Sequence, residues 1–177
     1  MRKESKYDGF KKLCTSCKHQ GCCTSFAAPL LFATDIQKLR EIGKDGDAYT
    51  KEVIIEGKKA RVIRKKPNSS LCTFWDEKNK TCSIYKNRPF DCMMYPFDIF
   101  WINGKYHWVL YSCNPHSNWQ WTEEILTMFE SSPQFQEVVK NISVFANLDE
   151  IDDLKASHEL SYTMLREVNF NKLVTQV

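Results

Sequence analysis

The stretch that decides the fold reads Cys72-Thr-Phe-Trp-Asp-Glu-Lys-Asn-Lys-Thr-Cys82-Ser-Ile-Tyr85-Lys-Asn-Arg88-Pro89-Phe-Asp-Cys92-Met-Met-Tyr95-Pro96. Two short strand-like pieces flank a polar turn between Cys72 and Cys82. A hairpin of that length brings its ends together, so Cys72 and Cys82 are expected as neighbours. Pro89 suits the first turn of a helix, Cys92 falls inside that turn and Pro96 closes it. The cysteines are thus gathered by turns and loops. The expected fold is α+β: a small, irregular, cysteine-rich metal-binding core with short β-hairpins, followed by C-terminal helices.

Upstream, Cys14 and Cys17 are two residues apart, and Gly21 precedes the pair Cys22-Cys23. The two-residue gap lets one turn present both sulfurs to one metal or cluster. With Cys113, the chain of 177 residues holds eight cysteines, none of them in the last 64 residues. Three explanations compete. A disulfide framework needs an oxidising compartment. Met1-Arg2-Lys3-Glu4-Ser5-Lys6 offers no apolar signal region, so a cytoplasmic location is expected. Inert packing explains a single thiol such as Cys113, but burial does not require short fixed spacings. Thiolate ligation accounts for the spacing, because soft sulfur donors suit zinc and iron–sulfur clusters. A thioredoxin-type role for Cys14 and Cys17 lacks its β-α-β surroundings.

Further out, residues 33–42 read as a short helix capped by Thr34 or Asp35, with Ile36, Leu39 and Ile42 on its buried stripe. Residues 53–63 read as a hairpin turning near Gly57, and residues 97–112 as another turning at Asn103-Gly104. A helix starts at Thr122-Glu123-Glu124, Ser132-Pro133 breaks it and starts another, and a third is expected from about Asp149 to Glu167. This divides the chain into a cysteine-cluster metal-binding domain, residues 1–116, and a helical extension packed on it, residues 117–177. Charge divides similarly. Residues 51–66 hold seven Lys/Arg and two acids, whereas residues 121–167 hold three Lys/Arg and ten acids. The acidic helices suggest a protein partner. Binding of nucleic acid through Lys11, Lys12, Lys18 and the basic 51–66 hairpin is the less favoured reading, a solvated hairpin face being the simpler one. The apolar runs are too short to span a bilayer, so no membrane association is expected.

Cys82-Ser-Ile84-Tyr85-Lys-Asn-Arg88-Pro89-Phe-Asp-Cys92-Met-Met-Tyr95-Pro96 resembles the C-x-I-Y-x-x-R-P-x-x-C-R-x-F-P signature of the YkgJ-type cysteine-cluster family, described as zinc- or iron-chelating and as Fe–S-cluster-containing. Cys14, Cys17, Cys22 and Cys23 resemble its C-x-x-C-x-x-C-C, and Cys72 with Phe74 and Cys82 fits its C-x-F/L segment. The resemblance covers residues 10–115. Four residues separate Cys17 from Cys22 where the family has two, and Met93 replaces the customary Arg. The family also includes relatives of flagellin lysine N-methylases, but no glycine-rich nucleotide loop is present here.

Read together, all eight cysteines (Cys14, Cys17, Cys22, Cys23, Cys72, Cys82, Cys92 and Cys113) are candidate metal ligands. The expected cofactor is an iron–sulfur cluster of the [4Fe–4S] type, with a redox, sensing or protein-maturation role. The alternative is a zinc-chelating structural or interaction module with two cysteine-rich zinc sites. Either centre carries a net charge of −2 with four thiolates, so it needs cations and donors beside it. Arg88 is the best-placed cation, expected on a cysteine sulfur, on a backbone carbonyl or in an ion pair that fastens the loop. Tyr85 beside it is expected in the core with its hydroxyl bonded. His19 and His116 are weaker ligand candidates, and His107 and His158 read as structural. No catalytic triad, carboxylate pair or phosphate loop stands out.

Overall fold

The computed structural model describes Cys23 and residues 28–111, 123–146 and 162–171. Two tight turns set its framework. Glu56 and Gly57 take φ of 52° and 70°, and Asn103 and Gly104 take 51° and 80°. Two successive left-handed residues twist the chain as the flanking strands require. The first turn joins β2 (Thr50–Ile55) to β3 (Lys58–Ile63), and β1 (Leu30–Leu31) pairs on the other side of β3. The second turn joins β6 (Phe97–Ile102) to β7 (Lys105–Tyr111). Between these hairpins lies a third, very short one, β4 (Trp75–Asp76) against β5 (Thr81–Cys82). All three hairpins fall where the sequence places them, and the α+β class holds.

The sheet β1-β3-β2 separates two cores. Side chains alternate across a strand, so the paired Leu30 and Val62 enter the larger core while Leu31 and Ile63, their chain neighbours, enter a smaller one. The larger core gathers Phe90, Met94, Ile99, Trp108, Leu126, Phe129, Phe135 and Val138. The smaller comprises Leu31, Leu39, Ile63, Phe74 and Ile84, and Cys72, Cys82 and Cys92 pack against it. Helix α1 (Ala33–Glu41) supplies Leu39, fully buried, and Ile36, half-buried; Ile42 stays 38% exposed beyond the helix end. The residue at the N-cap of α1 is Phe32, two positions before Thr34, the earlier of the two residues expected to cap it. Asp35 instead sits in the first turn and accepts the Phe32 N–H at 3.3 Å.

A short helix α2 (Phe90–Met94) follows Pro89 and carries Cys92; the Tyr95–Pro96 peptide after it is cis. Helices α3 (Glu123–Glu130) and α4 (Phe135–Lys140) flank Ser132-Pro133 as expected, and α5 (Ile142–Ala146) adds a turn the periodicity did not reveal. The expected third helix needs correction over its last part. Tyr162–Glu167 is a strand, β8, antiparallel to β7. Residues 149–161 of that expected helix lie outside the described residues. The strand is fixed by a buried polar network that local pattern does not encode. Glu130, fully buried, accepts Arg166 Nη1 at 2.7 Å, Arg166 Nη2 at 2.9 Å, Trp108 Nε1 at 2.9 Å and the Asn169 N–H at 2.9 Å.

A second buried carboxylate has a pH signature. Asp35 is 1% exposed, and burial raises its pKa from 3.8 to about 6, against the lowering effect of the Phe32 and Phe90 amides and of Lys38; Glu137 adds to the rise. A carboxylate whose folded pKa is raised favours folding while both states are protonated. That contribution is lost as pH climbs through the folded pKa. The stability difference between the wild type and D35N is therefore expected to fall by about 2 kcal/mol between pH 4 and pH 6. Urea unfolding of the two proteins across that range measures it. A difference that stays flat or rises with pH contradicts the assignment.

Candidate metal centre

Cys72 opens the β4–β5 hairpin and is gripped through its backbone. Its N–H donates to the Cys23 carbonyl at 2.8 Å, Cys72 forms a bridge with Lys65, and the next amide, Thr73 N–H, donates to the Arg64 carbonyl at 3.0 Å. Cys82 ends the same hairpin, opposite Trp75. The turn between them is closed by Asp76, whose carboxylate accepts the Lys78 and Asn79 amides at 2.9 and 3.1 Å. Cys92 arrives from α2. Cys23, Cys72, Cys82 and Cys92 therefore come from three separate parts of the chain.

The two hairpin cysteines share a local device. The backbone amide of Phe74 beside Cys72 and that of Ile84 beside Cys82 each favour the thiolate. The amide is two residues after the cysteine in both cases, in Cys72-Thr-Phe74 and Cys82-Ser-Ile84. Phe74 and Ile84 are both buried in the smaller core, which anchors each turn. The two turns are tied to each other as well, because Ser83 donates its N–H and its hydroxyl to the Phe74 carbonyl at 2.9 and 3.0 Å. The repeated Cys-hydroxyl-apolar triplet is the signal in the sequence that marks this pair.

The thiols sense one another. Burial is the first cause that pushes the Cys72 thiol up to about 12, with the charges of Cys23 and Cys82 adding to it and Lys66 opposing. Burial likewise raises Cys82, with Cys23 adding and Arg88 opposing. Cys92 is raised well above the ordinary thiol value by burial first, then by Asp91, Cys72, Cys23 and Cys82. Mutual influence of this kind requires the four sulfurs to share one neighbourhood. As placed, the described residues contain no closed set of three or more His, Cys, Asp or Glu side chains around a single point. The donor set nevertheless fits a thiophilic metal: sulfurs that repel each other's charge, partly buried, with amides that favour the thiolate at two of them.

Arg88 lies over the ring of Tyr85, 4.2 Å from its centroid, and its charge favours the Cys82 thiolate. Among the described residues it makes neither the sulfur hydrogen bond nor the ion pair expected from sequence. Tyr85 is half-buried with its hydroxyl buried. His107 Nδ1 meets the Lys105 carbonyl at 3.2 Å within the β6–β7 hairpin, a structural position. Cys14, Cys17, Cys22, Cys113, His19, His116 and His158 lie outside the described residues. In the basic hairpin, Lys59 pairs with Glu52 at 2.9 Å. Among the described residues no helix is long and apolar enough to cross a membrane.

A cysteine-lined chelating domain is the class of protein that this fold and donor set define. The family comparison agrees. The model CxxCxxCC, "Putative zinc- or iron-chelating domain", matches residues 13–114, and the chain belongs to that family. Metal binding in general is supported by that membership. No significant match is found among curated proteins or among solved structures.

Proposed function

We propose that the protein is a metalloprotein in which Cys23, Cys72, Cys82 and Cys92 hold one centre, an iron–sulfur cluster of the [4Fe–4S] type. The observation that carries the reading is the gathering of four thiols that influence one another's charge, with the Phe74 and Ile84 amides favouring the thiolate at two of them. Donors aimed at a sulfur stabilise its thiolate, and such bonds to the sulfurs tune the potential of a cluster. None of these four cysteines is paired in a two-residue knuckle, which suits an irregular cuboidal arrangement. When bound, the cluster would supply a one-electron couple, in keeping with a redox, sensing or maturation role. The chain's own part is to gather the thiols, to offset their charge with Arg88 and Lys66, and to place the Phe74 and Ile84 amides beside two of them.

Zinc is the second reading, favoured by the smallness of the core beneath the site. Among the described residues five buried side chains make up that cluster, and small cores are commonly stapled by a structural metal. Analysis of anaerobically purified protein separates the two. Brown protein with iron and acid-labile sulfide is expected. Colourless protein with stoichiometric zinc overturns the cluster reading and leaves the thiolate site standing.

A further inference from the structure

The helix that carries Cys92 cannot hold itself in place. It spans five residues, Phe90–Met94, and Pro89 at its N-cap gives no side-chain cap. Isolated helices of that length are not stable, so tertiary anchors fix the orientation of Cys92. Two carboxylates supply such anchors, and they run in opposite directions. Asp35 Oδ1, on α1, accepts the Phe90 N–H at 3.1 Å. This satisfies a first-turn amide of α2 that has no partner within the helix. Asp91 Oδ2, on α2, accepts the Leu30 N–H at 2.7 Å. Its place in the first turn also suits the helix dipole. The segment from Leu30 to Asp35 and the helix around Cys92 therefore each send an acceptor to the other.

The same segment feeds the floor of the metal site. Leu31 lies in the small core against which Cys72, Cys82 and Cys92 pack, and α1 contributes Leu39 to it. Phe90 and Met94, four residues apart on one face of α2, are held in the larger core. Rotation of α2 is limited by that face, and its position relative to β1 by the two carboxylates.

We infer that Asp91 and Asp35 are positioning residues of the metal centre, setting the Cys92 thiol against those of Cys72 and Cys82. The inference rests on the proposed ligand set. The full chain reloaded with Zn²⁺ is the probe, and release of Zn²⁺ to a coloured chelator is the readout. Loss of an outer-shell partner usually weakens a metal site by roughly 10- to 100-fold. D91A is expected to release Zn²⁺ that much faster. D91N keeps an acceptor oxygen for Leu30 without the charge, and a change of about fivefold is expected. R166M serves as the control for general loosening, because it breaks the Glu130 network, whose bonds from Arg166, Trp108 and Asn169 come from outside α2 and β1. It is expected to release Zn²⁺ within about twofold of the wild type.

If D91A and D91N release Zn²⁺ at the wild-type rate, or no faster than R166M does, the positioning role is overturned. Should D91A fail to fold, the comparison of D91N with R166M decides. C92S separates this failure from that of the underlying site: a C92S protein that keeps Zn²⁺ as the wild type does overturns the ligand set itself. A C92S protein that loses Zn²⁺ beside an unchanged D91A overturns only the positioning role.

Discussion

C92S is expected to lose the metal that the wild type retains. Its thiol is buried, and its pKa is raised by burial and by the charges of Asp91 and of the three other cysteines. Such a group has no reason to be a thiolate unless a cation offsets its charge. A ligand contributes more than an outer-shell partner does, so removing one of four thiolates is expected to cost more than about 100-fold in metal affinity. Metal content per chain after passage over a chelating resin measures it. An inert packing cysteine predicts something else: full metal retention and a loss of roughly 1 kcal/mol in stability. That outcome would remove Cys92 from the site.

The second large effect concerns the Glu130–Arg166 pair, which includes none of the proposed ligands. Glu130 is 0% exposed, while the Arg166 side chain keeps 24% of its surface. The guanidinium takes both carboxylate oxygens in a forked pair, and a further bond from Arg166 Nε reaches Glu123 at 2.8 Å. Burial of Glu130 and the two oxygens facing Arg166 make this a pair in which the cation is indispensable. R166M leaves the buried carboxylate without its forked cation, a change expected to cost about 3–5 kcal/mol. Replacing both members, as E130M/R166M, removes the stranded charge and is expected to recover part of that loss. Recovery stays partial because the Trp108 N–H loses its acceptor, at about 1–3 kcal/mol. Urea unfolding of the three proteins gives the order. A loss below about 0.5 kcal/mol for R166M would class the pair with ordinary surface ion pairs.

What could be read from the sequence was local. Gly57 and Asn103-Gly104 announced their hairpins because glycine and asparagine take the left-handed conformation these turns need, whereas Glu56 at φ 52° carries no such signal. Pro89 announced α2 because its fixed φ suits a helix start. That Cys72 and Cys82 share a neighbourhood followed from hairpin length, although Cys82 pairs with Trp75 and Cys72 bridges to Lys65. The unread parts depend on partners far along the chain. The Asp35–Phe90 and Asp91–Leu30 bonds span 55 and 61 residues, and no local pattern marks them. Asp35 was legible as an N-terminal acid of α1, but not as the anchor of another helix. Tyr162–Glu167 was misread because Tyr-Thr-Met-Leu-Arg-Glu has neither clear alternation nor a turn signal. Its strand form comes from pairing with β7 and from the reach of Arg166 to Glu130, 36 residues away. In the metal site, the gathering of cysteines was legible. The amides that favour two of the thiolates emerged only with the backbone of the Cys72 and Cys82 turns.

The central claim is that Cys23, Cys72, Cys82 and Cys92 hold a metal through sulfur alone. Metal-edge X-ray absorption of the anaerobically purified protein tests it most directly. The account predicts a nearest shell made only of sulfur, at about 2.3 Å whether the metal is zinc or cluster iron, with an additional metal–metal shell for the cluster. A nearest shell of oxygen or nitrogen would contradict the account, as would protein purified without bound metal.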